Sequence, residues 1–369
     1  MTPENLLYKI ALSTIPGIGG VLARNLVAYV GSVEAIFRES TGKLMKIPGI
    51  GEVMAGRIRD PGILSRAAEE LQFIGKNNIR VFFYLDENYP RRFSNCPDAP
   101  VLFYMKGNVN LDTDKIISIV GTRSATDYGR QMCDALIRDL ASQNDDLLVV
   151  SGLAYGIDIQ AHKSSLKYGI PTIGVLGHGL DTLYPALHAK VARQMIEKGG
   201  LLTDFPSQTK IDPSNFIRRN RLIAGLSDAT IVVESGEKGG ALITADIAAS
   251  YDRDVMAFPG RSTDSTSRGC NRLIKSNVAA MIENASDMEY LLGWDSKNKK
   301  VQPVQQQLFT DLTGEEETLI SLLKNNDRTY IDMLVLQSEI PLNRMAALLL
   351  NLEFKGLVES LPGNIYRLR

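Results

Sequence analysis

The chain has 369 residues, enough for two or three domains at roughly 150 residues each. Hydrophobic residues make up 44% and charged residues 22%, which excludes disorder throughout, and no apolar run approaches the ~18 residues that span a bilayer. Net charge is −1, divided as +3 over residues 1–80, −4 over 81–295 and zero over 296–369, so a polyanion ligand would need basic residues gathered on one face.

Three cysteines, Cys96, Cys133 and Cys270, lie far apart without a CxxC, which excludes a disulfide scaffold and a thiolate zinc site. The histidines His162, His178 and His188 form no HExxH set. Neither a metal nor a cofactor is expected. The first residues lack the basic, apolar and small-residue succession of a signal peptide, and a cytoplasmic protein is expected.

Residues 1–80 read as a helical domain, with apolar positions at helix spacing in Leu6–Leu12, Val21–Val30 and Val53–Ile58. Two matching loops, Ile15-Pro16-Gly17-Ile18-Gly19 and Ile47-Pro48-Gly49-Ile50-Gly51, lie 32 residues apart, each before a helical pattern. Such helix-hairpin-helix loops leave backbone N–H groups free at a helix start, where they can hold a phosphate without reading sequence. Gly17, Gly19, Gly49 and Gly51 are thus candidate secondary DNA contacts. Packing of the two hairpins explains them as well.

Residues 81–110 carry the extended runs VFFYL and VLFYM. From Lys115, short β-branched runs alternate with helical stretches: IISIV (116–120), LLVVS (147–151), TIGVLG (172–177), LLTDF (201–205), TIVVES (230–235), VMAFPG (255–260) and VAAMIE (278–283). That alternation predicts an α/β fold with a doubly wound, mostly parallel sheet over 81–295. Residues 296–311 are polar and Gln-rich and read as a linker. Residues 312–369 hold helical patterns at Glu315–Lys324, Tyr330–Gln337 and Leu342–Lys355, then two extended runs around Pro-Gly-Asn, a winged-helix pattern.

Four loop or helix-start segments follow parallel strands and so open on one sheet edge. Gly121-Thr122-Arg123 follows IISIV; Arg123 can fork onto a phosphate or pair with Asp127. Ser151-Gly152 opens the next loop, and His162 on the helix behind it reads as structural. The segment Lys210–Ser227 gathers Lys210, Arg218, Arg219 and Arg221 around one acid, Asp212. On a helix Arg218 and Arg221 share a face and Arg219 points elsewhere. Phe216 can stack on a base or lie in the core. Gly239-Gly240 can form a phosphate nest at a helix start or a tight turn.

In combination these motifs resemble the DprA/Smf family. The resemblance rests on IVGTRSATDYG (119–129), VVSGLAYGIDIQAH (149–162), NFIRRNRLIAGLS (215–227), VVESGEKGGALITADIA (232–248), AFPG (257–260) and SRGCNRLI (267–274). It implies a Rossmann-like core between a helix-hairpin-helix (SAM-like) domain and a winged helix. It also implies a non-catalytic recombination mediator of natural transformation that binds single-stranded DNA, acts as a homodimer and helps load RecA. The contacts it implies are Arg123, Ser151, Gly152, Phe216, Arg219, Asn220, Arg221, Gly239 and Gly240, beside Gly121, Thr122 and Arg218 of the same segments. Two other classes share the sheet: a LOG-like phosphoribohydrolase acting on nucleoside monophosphates, and a pure interaction module. The former needs a PGGxGTxxE loop, and here Leu242 and Ile243 replace its third glycine and its threonine while Asp246 stands near its glutamate.

Overall fold

Glycine and proline punctuate the first segment into short helices. The computed structural model describes residues 3–143, 146–294, 312–324, 329–338, 340–361 and 365–368. Its first helices are α1 (Pro3–Thr14), α2 (Gly20–Val30), α3 (Val33–Arg38), α4 (Thr41–Leu44), α5 (Glu52–Ile58) and α6 (Pro61–Asn77). Gly17 and Gly49 both adopt φ of +87°, which glycine reaches without penalty. Their packing is reciprocal: a β-carbon on Gly17 would meet Met54 Cε at 3.0 Å, and one on Gly49 would meet Leu22 Cδ2 at 2.6 Å. Leu22 and Met54 are equivalent positions of the repeat, so each hairpin loop is seated on the other hairpin's second helix.

The sheet contains β1 (Arg80–Phe83), β2 (Leu102–Gly107), β3 (Lys115–Val120), β4 (Leu147–Ser151), β5 (Thr172–Val175), β6 (Gly200–Thr203), β7 (Ala229–Val232), β8 (Asp254–Ala257) and β9 (Ala280–Met281). Its order is β1-β2-β6-β5-β4-β3-β7-β8-β9. Strands β3 to β9 run parallel, while β2 pairs antiparallel with both β1 and β6. The crossover helices are α7 (Asp127–Ala141), α8 (Ile157–Tyr168), α9 (Ala189–Lys198), α10 (Pro213–Leu226), α11 (Gly240–Ser250) and α12 (Arg268–Lys275), followed by α13 (Ala285–Leu291). Residues of one strand divide between two cores: Leu148 and Val150 face Leu222 and Ala245, whereas Leu147 and Val149 face Leu136 and Ile137. Burial on both faces explains why these strands read as near-continuous apolar runs.

Met1–Trp294 and Asp295–Arg369 are separate compact units. The second contains α14 (Gly314–Lys324), β10 (Thr329–Tyr330), α15 (Ile331–Ser338), α16 (Leu342–Phe354), β11 (Val358–Leu361) and β12 (Ile365–Leu368). Its antiparallel sheet has the order β10-β12-β11, one strand more than the sequence pattern predicts, because β10 is only two residues long. Thr313 and Glu316 close a capping box at the start of α14, with Thr313 N–H donating to Glu316 Oε2 at 2.9 Å. The basic residues of the α16 region are engaged: Arg344 pairs with Glu315 at 2.9 Å and Lys355 with Glu316 at 2.8 Å. The predicted linker 296–311 and the Pro-Gly-Asn turn lie outside the described residues.

One buried polar cluster fastens the N-terminal helices to the sheet. Glu70 of α6 is 1% exposed. It accepts the Ser207 N–H at 3.0 Å, the Ser207 hydroxyl and Arg66 Nη2 at 2.8 Å. Glu70→Ala leaves the Ser207 N–H and hydroxyl without their acceptor and is expected to cost roughly 2–3 kcal/mol. A urea unfolding midpoint equal to that of the parent protein would contradict this.

Candidate nucleic-acid interface

From β3 the chain steps outward through β4 and β5 to β6, then returns to place β7 on the other side of β3. The reversal between β3 and β7 is the point at which an open α/β sheet leaves a crevice outside its strand ends. Here a carboxylate of the chain itself enters that crevice. Glu234, just after β7, is 2% exposed. It accepts the backbone N–H of Thr126 at 2.9 Å and the Thr126 hydroxyl at 2.8 Å, at the start of α7. A helix start attracts an anion, and Glu234 supplies it. A β-carbon on Gly129 would fall 2.4 Å from Glu234 Oε2, so the glycine makes room for the carboxylate.

The β3–α7 loop packs on the loop after β4. Thr122 N–H donates to the Glu234 carbonyl at 2.7 Å, and the Thr122 carbonyl accepts the Ile157 N–H at 3.1 Å. Gly121 has Ile157 Cγ1 at 2.4 Å from where its β-carbon would stand, and Gly156, at φ +78°, has the Thr122 oxygen at 2.1 Å. Arg123 projects from this loop and is exposed. It does not pair with Asp127, whose carboxylate takes Arg130 at 3.0 Å.

Behind the loop lies a buried charge. Arg219 of α10 is 4% exposed. Its Nη1 donates to the Gly152 carbonyl at 2.7 Å and also to the Val175 carbonyl, and its Nε donates to Asn220 Oδ1 at 3.3 Å. Burial pulls its pKa down to about 10, against the opposing field of Asp158. Asp158 is 7% exposed, and burial raises its pKa while Arg219 and the N–H groups of Ala154 and Gly152 oppose the rise. A β-carbon on Gly152 would lie 2.5 Å from Asp158 Oδ2 and 2.6 Å from Arg219 Nη2.

The residues singled out in the sequence therefore divide. Arg123, Arg218 and Gly240 are exposed; Gly121, Thr122, Phe216, Arg221 and Gly239 are half-buried; Ser151, Gly152, Arg219 and Asn220 are buried. The Ser151 hydroxyl donates to the Ile119 carbonyl at 2.6 Å. Arg221 pairs with Asp204 and donates to the Asp98 carbonyl. Arg218 lies over the Phe205 ring, 5.4 Å from its centroid. Asn220 Nδ2 donates to the Gly240 carbonyl at 3.4 Å and so ties α10 to the start of α11. That start has Gly239 as its cap and no side-chain cap. Behind it, Gly269 N–H donates to the Ser235 carbonyl at 2.8 Å, and Asn271 clamps Gly260 at 2.9 and 3.1 Å. Glu234 and Asp158 escape a sequence reading; the only signal is a carboxylate ending an apolar strand and another in the first turn of α8.

Asp246, the residue standing near a phosphoribohydrolase's glutamate, is exposed on α11, and Leu242 is 4% exposed in the core. Among the described residues no group of three or more His, Cys, Asp or Glu is placed to hold a metal. No described helix is long and apolar enough to cross a membrane.

A doubly wound sheet that follows a hairpin pair and precedes a winged helix along the chain has the module order of a nucleic-acid-processing protein. Comparison with known proteins gives the same assignment. Residues 80–293 match the DNA recombination-mediator protein A family, residues 9–60 a SAM-like helix-hairpin-helix tandem and residues 304–364 the DprA winged helix domain. The chain belongs to the DNA recombination-mediator protein A family, also called DprA/Smf, whose members are DNA-processing proteins. It is 30% identical to Protein Smf of Synechocystis sp. over the whole of both chains. It resembles the solved DNA processing protein A of Streptococcus pneumoniae (TM-score 0.62, 30% identity, 79% of this chain and 98% of that one). It also resembles that of Helicobacter pylori, a structure described for its single-stranded DNA binding mode (TM-score 0.53, 30% identity, 59% and 96%).

His162 borders the Arg219 cluster and is 0% exposed, with Nδ1 2.7 Å from the Thr172 hydroxyl. Burial, then His188 and Arg219, pull its pKa from 6.5 down to about 3. The unfolded chain therefore binds more protons than the fold between those values, and stability falls as the pH drops through that window. In His162→Gln this contribution is absent. The gap in urea midpoint between parent and variant is expected to narrow as pH falls from about 7 to about 4. A constant gap would refute it.

Proposed function

We propose that this chain binds single-stranded DNA along the carboxyl edge of its sheet, as a homodimer that protects incoming strands in natural transformation and helps load RecA. The observation that carries the reading is the exposed Arg123, on the loop beside the one that leads to the uncapped start of α11 at Gly239 and Gly240. A guanidinium and free backbone N–H groups on neighbouring loops suit successive phosphates, contacts that carry no base sequence. Family membership and the H. pylori relative support it. Arg219 and Ser151 serve that site from beneath, since Arg219 Nη1 and the Ser151 hydroxyl are bonded to backbone carbonyls. Binding without turnover is proposed, and incubation with nucleoside monophosphates should release no base. The working division is a helical domain at 1–80, the DNA-binding domain at 81–295, a linker at 296–311 and a winged helix at 312–369.

A dT oligomer should bind more tightly than a blunt duplex at moderate salt. Arg123→Ala should weaken dT binding and flatten the slope of log affinity against log salt by about 0.7, the share of one single-strand phosphate. Unchanged affinity and slope in a folded variant would sink the site assignment.

The two hairpin loops are proposed as secondary contacts. Both α2 and α5 begin at glycines without a side-chain cap. Gly19 and Gly51 have φ of −93° and −90°, and nothing lies within 4 Å of where a β-carbon would stand. Gly19→Leu and Gly51→Leu should therefore fold normally and lower DNA affinity a few-fold. Parental affinity in both would make the loops purely a packing device.

A further inference from the structure

Two tyrosines stand out at the edge just described. Tyr155, on the loop after β4, is 43% exposed, and Tyr184, on the connection after β5, is 45% exposed. A single exposed aromatic is ordinary. These two are pinned from beneath. The Tyr155 ring meets His188 edge-on, with centroids 5.1 Å apart and planes at 70°. His188 is 5% exposed, and its Nδ1 stands 2.9 Å from the Leu153 carbonyl, so that nitrogen carries the proton. The Tyr184 ring lies 5.8 Å from that of Phe216, tilted at 50°. Its backbone N–H donates to His178 Nε2 at 3.2 Å, which makes Nδ1 of that buried ring the donor to the Gly179 carbonyl at 2.9 Å. Phe216 is held in turn, because Gly177 leaves room for it: a β-carbon there would fall 2.9 Å from Phe216 Cδ1.

We propose that Tyr155 and Tyr184 are base-stacking positions, each offering an aromatic surface to a base of a single-stranded nucleic acid whose phosphates follow Arg123. The inference rests on the function proposed above and deepens it by assigning the base contacts. Strands β4 and β5 are neighbours, so the loops that carry the two rings open side by side. Every base has a π-face, so stacking on fixed rings adds affinity without sequence preference. A Tyr155 ring packed on His188 and a Tyr184 ring packed on Phe216 lose little freedom when a base arrives.

The test compares a dT oligomer with an abasic oligomer of equal length. Tyr184→Ala and Tyr155→Ala should each weaken dT binding about tenfold. Both should leave abasic binding and the salt slope unchanged, because neither tyrosine neutralises a phosphate. Tyr184→Phe and Tyr155→Phe keep the ring and should bind dT like the parent. Equal losses on both oligomers, or no loss on dT, would overturn the assignment while leaving the strand-binding function intact. A parent protein that binds neither oligomer would overturn both.

Discussion

Burying a guanidinium costs several kcal/mol unless the donors it withdraws from water find acceptors. Arg219 finds them at the carboxyl ends of β4 and β5, on the carbonyls of Gly152 and Val175. This fixes how α10 lies across the sheet. With Arg219 inward, Arg218 faces solvent and Arg221 turns toward Asp204. Asn220 reaches α11, and Phe216, one turn earlier, sits against Gly177. The loop after β4 must accommodate the same charge, so Gly152 is small where Asp158 and Arg219 close on it. The edge is thus assembled around a cation that contributes none of its own exposed surface.

The architecture was largely legible in the sequence, because strands buried on both faces and crossover helices leave a local record: apolar runs at short intervals with amphipathic stretches between. Strand order and the antiparallel lead-in of β1 and β2 are not local. The site was legible as a set of segments but not residue by residue. Helix spacing shows that Arg218 and Arg221 share a face and Arg219 does not, yet it cannot tell which face is buried. The partner of Arg221 is 17 residues away in the bend after β6, and Ser151 spends its hydroxyl on a neighbouring strand. Strand β10 escaped notice because two residues carry no period.

The N-terminal hairpins show a constraint of another kind. Leu22 and Met54 each fill the space that the other hairpin's glycine leaves open. The repeated Pro-Gly-Ile-Gly sequence therefore has a packing explanation that needs no ligand. The same arrangement still leaves two uncapped helix starts, so packing and phosphate contact do not compete for the same atoms. In the winged helix, by contrast, Arg344 and Lys355 are already matched by Glu315 and Glu316, which lowers the attraction of that helix for a polyanion.

Glu234 carries a consequence for how this fold can change. Its carboxylate stands at the helix start where related sheet architectures receive a ligand's phosphate, and Gly129 is the space it requires. The two positions form one packing unit. A β-carbon at 129 collides with the carboxylate, and an alanine at 234 leaves the N–H of Thr126 without its acceptor. A single truncation at 234 therefore strips the start of α7 of its internal anion, whereas an enlargement at 129 fits only beside a shorter side chain at 234.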